Sequence, residues 1–390
     1  MRICVVSGTF HPEPGGPPTF LYRLLPELVQ RGHTIEVVTY GEPAAPADYP
    51  YPVTRISRRQ PILFRLLAFA RAVLRAGRRV DVFFVSDYGL PVAMANLMLH
   101  KPILLKNVGD FAWEFSTRHN WIPAGQTIDE FQTAPHSPRV NLLRTVQRWH
   151  TGAADTLIAP SRYSAGLVIG WGILPSKVRV IYNALDPVDD LPTRDSVRRE
   201  LNVDSPLIVT VARLAPWKGV AGVIRALAQV QREFPSARLI VVGDGPERSA
   251  LEREAASLGD AVLFVGTQPP DRVRLYLRAA DVFVLFSTYE GLPHTVLEAM
   301  QAGTPVVVSD AGGNVEVVTH GQNGWVVPKG DEAAMAKTLI EVLRDPAEAE
   351  RRANKATESL DRFSWPLLVD EYDAAIKSLE PQRREGREET

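Results

Sequence analysis

Glu290 and Glu298 stand eight residues apart in Tyr289-Glu290-Gly291-Leu292-Pro293-His294-Thr295-Val296-Leu297-Glu298-Ala299-Met300, directly after the apolar run Asp281 to Phe286. Proline suits the first turn of a helix, where its missing N–H is no loss, so Pro293 predicts Glu290 in a loop and Glu298 inside a helix. The turn Gly291-Leu292-Pro293-His294-Thr295 then presents the start of that helix to a ligand. Unpartnered N–H groups there favour a diphosphate, and a carboxylate one to two turns on accepts two hydrogen bonds from a ribose diol. Glu290 would hold sugar hydroxyls. An isolated glutamate is more often a solvated surface charge; the pattern around this pair argues otherwise.

Arg213 and Lys218 leave the run Leu207 to Val211 together, in Val211-Ala212-Arg213-Leu214-Ala215-Pro216-Trp217-Lys218-Gly219. When a nucleoside diphosphate departs from a sugar, negative charge develops on phosphate oxygens, and a fixed Arg and Lys offset it as a metal ion would. No Asp-x-Asp occurs and no His or Cys pair has zinc spacing, in keeping with a site without a metal. The alternative is that both cations are ordinary surface charges, which the neighbouring glutamate pair argues against. Gly243 and Gly245, in Val242-Gly243-Asp244-Gly245-Pro246, form a tight turn that a nucleotide can approach closely, although such turns are also common between a strand and a helix. Gly312-Gly313 shares that ambiguity. In the first half, Pro12 to Pro18 places Gly15 and Gly16 before a helix from Thr19 to Gln30, where main chain can meet a phosphate. The loop lacks G-x-G-x-x-G, which disfavours NAD.

The elements that must carry these residues are short β-branched runs alternating with amphipathic segments. Ile3 to Val6, Ile35 to Thr39, Val82 to Val85, Ile103 to Leu105, Thr156 to Ile158 and Val178 to Ile181 make one series. Leu207 to Val211, Leu239 to Val242, Val262 to Val265, Val282 to Leu285, Val306 to Val308 and Trp325 to Val327 make a second. This predicts an α/β chain of two doubly wound domains in series, with 390 residues too many for one ordinary core. The expected division is 1–185, a linker at 186–200 centred on Leu185 to Pro192, 201–365, and a charged tail at 381–390. Ligands bind outside the carboxyl ends of parallel strands, so two such sheets edge to edge would line a cleft with loops from both.

Composition narrows the class. The chain is 45% hydrophobic and 23% charged, which excludes disorder and coiled coil. One cysteine, Cys4, forms no internal disulfide. No apolar window spans a bilayer and the first apolar run is too short for a signal peptide, so a cytoplasmic protein is expected. The net charge of −1 hides 20 Lys+Arg against 12 Asp+Glu in residues 1–185, and 24 against 33 in the rest. The basic half suits a phosphate-rich partner. Arg55 to Arg79 holds eight arginines and no acid among interleaved apolar residues. It reads either as a helix lying on an anionic leaflet, peripheral on the inner face of the plasma membrane, or as a helix packed on the sheet with a solvated basic face. Nucleic acid is disfavoured, since no stacking platform or binding module appears.

Gly15-Gly16 before a helix, Arg31-Gly32-His33, Val211-Ala212-Arg213 with Lys218-Gly219, Gly243-Asp244-Gly245-Pro246, the Glu290/Glu298 pair and Gly303-Thr304-Pro305-Val306-Val307 together resemble the family-4 retaining glycosyltransferases of the GT-B fold. The resemblance spans essentially the whole chain and is most specific from 207 to 328. It implies two Rossmann-like domains, the first for the acceptor and the second for the donor, with the final helix, about 366–380, crossing back to the first. By it, Glu290 contacts the donor sugar, Glu298 the ribose, Arg213 and Lys218 the diphosphate, and Gly16 the phosphate or acceptor. It also implies transfer with retention at the anomeric carbon.

Members of that family often carry a histidine after the strand corresponding to Ile103 to Leu105; here the chain reads Lys106-Asn107-Val108-Gly109-Asp110, with Gly109 at that place. Asp110 is then either an acceptor- or sugar-contacting group or a helix cap. His11, His119 and His136 are read as ordinary loop histidines. The expected activity is hexosyl transfer from a UDP- or GDP-linked sugar to an acceptor hydroxyl, lipid-linked or anionic, in envelope glycolipid or polysaccharide synthesis, with no other cofactor. The rivals are a nucleotide-sugar epimerase or isomerase and a nucleotide-sugar-binding scaffold weakened in catalysis.

Overall fold

A computed structural model describes residues 1–380 except 14, 43–48, 87, 108 and 186–190; the first five residues of the expected linker and all of the charged tail lie outside the described residues, and Arg194–Glu200 of that linker form a helix. The chain divides into two compact units. One takes Met1–Pro123, Gln132–Ile181 and the chain from Pro366; the other takes Ala124–Phe131 and Tyr182–Trp365.

The first unit holds β1 (Arg2–Ser7), β2 (Thr34–Tyr40), β3 (Val53–Ile56), β4 (Val82–Ser86), β5 (Ile103–Lys106), β6 (Thr156–Ala159) and β7 (Val178–Val180), ordered β3-β2-β1-β4-β5-β6-β7. The second holds β8 (Leu207–Val211), β9 (Arg238–Val242), β10 (Val262–Gly266), β11 (Val282–Leu285), β12 (Val306–Ser309) and β13 (Trp325–Val327), ordered β10-β9-β8-β11-β12-β13. All the pairings between these strands are parallel. Helices cover both faces, so the central strands are buried throughout and their sequences run apolar rather than alternating. That is why the β-branched runs marked them. The exception is β3, a partly exposed edge strand of four residues that includes Thr54 and Arg55; sequence reading passes over it because edge strands are short and polar.

In each sheet the chain starts in the middle, runs outward, and returns to build the other side. The reversal falls between β1 and β4 in one unit and between β8 and β11 in the other. Loops leaving neighbouring strands there diverge and open a crevice, the usual ligand position in open α/β sheets.

The helix Trp365–Lys377 belongs to the first unit, to which the chain returns after the second sheet is complete. Tyr372 is buried against Phe20 and Phe84. Asp373 accepts from His33 Nε2 at 2.7 Å and Lys377 Nζ at 2.9 Å, while Arg31 pairs with Asp370 at 2.6 Å. Arg31-Gly32-His33 is thus the anchorage of the returning helix.

Candidate active site

Arg213 and Lys218 follow β8; Glu290 and Glu298 follow β11. These are the two strands at the second unit's reversal, so the four side chains descend from one crevice mouth. Glu290 lies in the loop and is buried. Its Oε1 accepts from Lys218 Nζ at 2.6 Å and from Ser287 Oγ at 2.6 Å. No described residue donates to Oε2. Ser287 is itself held: its carbonyl accepts from Ser309 Oγ at 2.6 Å, and Asn314 Nδ2 donates to the Ser309 carbonyl at 3.0 Å. This buried relay holds the carboxylate from behind. Sequence reading missed Ser287, Ser309 and Asn314; the available signal was a serine at the end of one apolar strand and just past the end of another.

Glu298 sits in the helix His294–Gln301, which Pro293 caps from outside rather than joining as its first residue. The helix ladder begins with Val296 and Leu297, whose N–H groups both donate to the Pro293 carbonyl. Burial pushes the Glu298 carboxyl up, with Arg274 opposing. His294 is exposed, Thr295 and Gly291 are half-buried, and Leu292 and Pro293 are buried. Arg213 is exposed and its guanidinium has no hydrogen-bond or ion-pair partner among the described residues.

Gly243 and Gly245 follow β9, next to β8, and lie directly against the Arg213 loop. A Cβ on Gly243, at φ +129°, would stand 1.9 Å from the Ala212 carbonyl oxygen, and one on Gly245 would stand 2.4 Å from that of Leu214. The absent side chains make room for the Arg213 loop, which hydrogen-bonds across them through Leu214 N–H to the Asp244 carbonyl at 2.9 Å. The glycines therefore shape the loop that carries the cation. Gly313 does the same for the Glu290 loop: its N–H donates to the Glu290 carbonyl at 2.8 Å.

In the first unit, Gly16 opens the helix α1 (Gly16–Gln30), and a Cβ there would meet nothing within 4 Å. Of the first three helical residues only Gly16 has an N–H, because Pro17 and Pro18 follow. Asp110 caps a short helix, Phe111–Arg118. Its Oδ1 accepts from Trp113 N–H at 3.0 Å and Gln147 Nε2 at 3.1 Å, and its Oδ2 from Gln132 Nε2 at 2.9 Å. Buried with both oxygens engaged, Asp110 caps this helix, one of the two roles open to it. His11 bonds Tyr49 and His119 the Phe115 carbonyl, as ordinary histidines do. Among the described residues, no helix is long and apolar enough to cross a membrane.

Comparison with known proteins matches residues 14–189 to the model "Glycosyltransferase Family 4" and residues 193–359 to "Glycosyl transferases group 1". Glycogen synthase of Mycobacterium tuberculosis is 29% identical over 399 residues, covering 95% of this chain and 92% of its own. The GDP-mannose-dependent alpha-(1-6)-phosphatidylinositol monomannoside mannosyltransferase of Mycolicibacterium smegmatis is 33% identical over 195 residues, covering 47% and 50%. The chain spans about half the length of several curated relatives it matches. Among solved structures, Anabaena Alr3699/HepE in complex with UDP superposes with a TM-score of 0.76 at 22% identity over 97% of this chain and 100% of that one. Both halves match in order and the fold is shared along nearly the whole length: the chain belongs to the family-4 glycosyltransferases of GT-B type.

Proposed function

We propose that the chain transfers a hexosyl group from a UDP- or GDP-linked sugar to an acceptor hydroxyl, with retention and without a metal ion. The observation that carries this reading is the Lys218–Glu290 contact at the second sheet's reversal, with Arg213 and Glu298 on the same two loops. In this reading 201–365 takes the donor and 1–185, with the returning helix, takes the acceptor. Glu298 accepts from the ribose hydroxyls, and Glu290 turns its Oε2 to the sugar. Arg213 and Lys218 face the diphosphate, whose charge grows as the bond from the anomeric carbon to phosphate oxygen breaks. The acceptor oxygen bonds to that carbon on the same face, and its proton passes to the departing phosphate. No protein base is required.

Two neighbours support a nucleotide-sugar donor: the HepE structures hold UDP and UDP-glucose, and the mannosyltransferase is named for GDP-mannose. The latter's phosphatidylinositol acceptor supports a lipid-linked acceptor here, presented at the cytoplasmic face of an anionic membrane that Arg55 to Arg79 contacts.

Nucleotide sugars are screened by thermal shift, and the best binder is then incubated with acceptors and without. Transfer or slow donor hydrolysis is expected; a changed sugar with donor alone would reveal an epimerase, and no turnover at all a scaffold. Undiminished transfer in chelator is expected, and loss would remove metal independence. Glu298→Ala should weaken donor binding about tenfold by calorimetry, in line with two hydrogen bonds to a charged group. Equal affinity would contradict the ribose role.

A further inference from the structure

The helix α2 (Ile62–Gly77) packs on the first sheet through Phe69 and Val73, which are fully buried. Its first two turns do something else. Ile62, Leu63, Phe64, Leu66 and Leu67 are all exposed, Phe64 to 68%. Stepping about 100° per residue, Leu63 and Leu67 turn away from Phe69 and Val73, whereas Leu74 is half-buried against the core. Arg71, Arg75 and Arg78 lie on the same face as Leu63 and Leu67. These three arginines are exposed, and their side chains have no ion-pair or hydrogen-bond partner among the described residues.

The helix α3 (Leu90–Leu99) packs beside α2: Gly77, near the end of α2, has no side chain where Leu99 comes in. Its sequence, Leu90-Pro91-Val92-Ala93-Met94-Ala95-Asn96-Leu97-Met98-Leu99, contains no charge. The one polar side chain, Asn96, turns back on its own C-terminal loop, bonding Lys101 N–H and carbonyl at 2.8 Å each. Helices apolar all round are normally enclosed. This one buries Val92 and Ala95 and exposes Met94, Leu97 and Met98, the last to 72%.

Neighbouring helices thus expose large apolar side chains beside unpaired arginines and no exposed acid between Arg55 and Arg79. Soluble surfaces rarely do this without a partner. A second copy of the chain fits poorly, because a two-fold contact would press the same arginines against one another. An anionic bilayer fits both features, with side chains entering the acyl boundary and guanidinium groups held at the headgroups. Deepening the membrane contact proposed above, we propose that the first two turns of α2 and the outer face of α3 insert into the interfacial layer of an anionic bilayer. Attraction between charges would be screened by salt; insertion is not.

The test is sedimentation with mixed phosphatidylglycerol–phosphatidylcholine vesicles at low and high salt. Wild type should pellet at low salt and partly at high salt. The triple variant Leu63→Ser, Phe64→Ser, Leu67→Ser should lose at least about tenfold in partitioning at both. Met94→Ser with Leu97→Ser and Met98→Ser should lose several-fold. Arg71→Gln with Arg75→Gln and Arg78→Gln should lose binding chiefly at low salt. Wild type left in the supernatant, serine variants that pellet like wild type, or serine variants that only convert a dimer to a monomer by light scattering would each overturn insertion. All the substituted side chains are exposed or lie on the outer face, so donor turnover in vesicle-free buffer is expected unchanged. Its absence from wild type would undo the glycosyl-transfer reading and leave the membrane result standing.

Discussion

The two sheets reverse direction in the same way, yet the loops at their reversals are built to different standards. After β8 and β11, loops lock onto one another: glycines lie against neighbouring carbonyls, a serine–asparagine relay holds Glu290, and Lys218 is paired before any ligand arrives. After β1, Gly16 looks onto open space, two prolines remove donors from the helix start, and the acid after β5 caps a helix. In the proposed reading the rigid site would take the nucleotide diphosphate and the looser one the acceptor, so that preorganisation falls where the ligand is constant.

The largest expected effect tests the rigid side. Gly243→Ala must place a methyl 1.9 Å from a backbone carbonyl at φ +129°. Neither neighbour is a side chain that can yield, so a loss of at least about 4 kcal/mol in urea unfolding is expected, or failure to fold. Near-normal stability would mean that the two loops do not lock. Next is Asp110→Ala, which removes a cap and strands two glutamine amides, one buried and one half-buried, together about 2–3 kcal/mol by the same measurement. Asp110→Asn keeps an oxygen for the cap and should cost about half as much with turnover preserved. A turnover collapse in Asp110→Asn at unchanged melting temperature would return Asp110 to the chemistry.

What could be read in advance follows from the same contrast. The central strands showed because burial on both faces demands continuous β-branched residues, and the Glu290/Glu298 pair showed because a proline divides loop from helix. Contacts made by single small residues did not show: Ser287, just past β11, and Ser309, the last residue of β12, are ordinary until folding brings the two strands side by side. Gly243 was legible as a turn but not as the seat of the Arg213 loop, since nothing local says which chain passes over it. Asp110 was undecidable because a cap and a sugar ligand call for the same residue, and its partners Gln132 and Gln147 lie 22 and 37 residues on.

A smaller effect comes from the loose side. Lys106, at the end of β5, is buried with its Nζ 3.4 Å from the centre of the Phe20 ring, and burial pushes its pKa down to about 7 from 10.5. The unfolded chain then binds one more proton than the folded chain between those values, so stability rises as pH climbs through that window and levels off above it. Lys106→Met should raise the melting temperature near neutral pH by several degrees and flatten that slope. An unaltered slope would show that the lysine stays charged when folded.

The smallest effect on stability is the most informative about function. Gly16→Ala adds a methyl that meets no protein atom within 4 Å, at a backbone angle alanine adopts freely, so stability should change by less than about 0.5 kcal/mol. Whatever that methyl disturbs must come from outside the protein. If a phosphate or an acceptor approaches the Gly16 N–H, as the family resemblance implies, transfer should fall several-fold while donor binding to the second unit holds. Unchanged transfer would leave the entrance to α1 without a ligand, and the comparison would then set a built site against none rather than against a loose one.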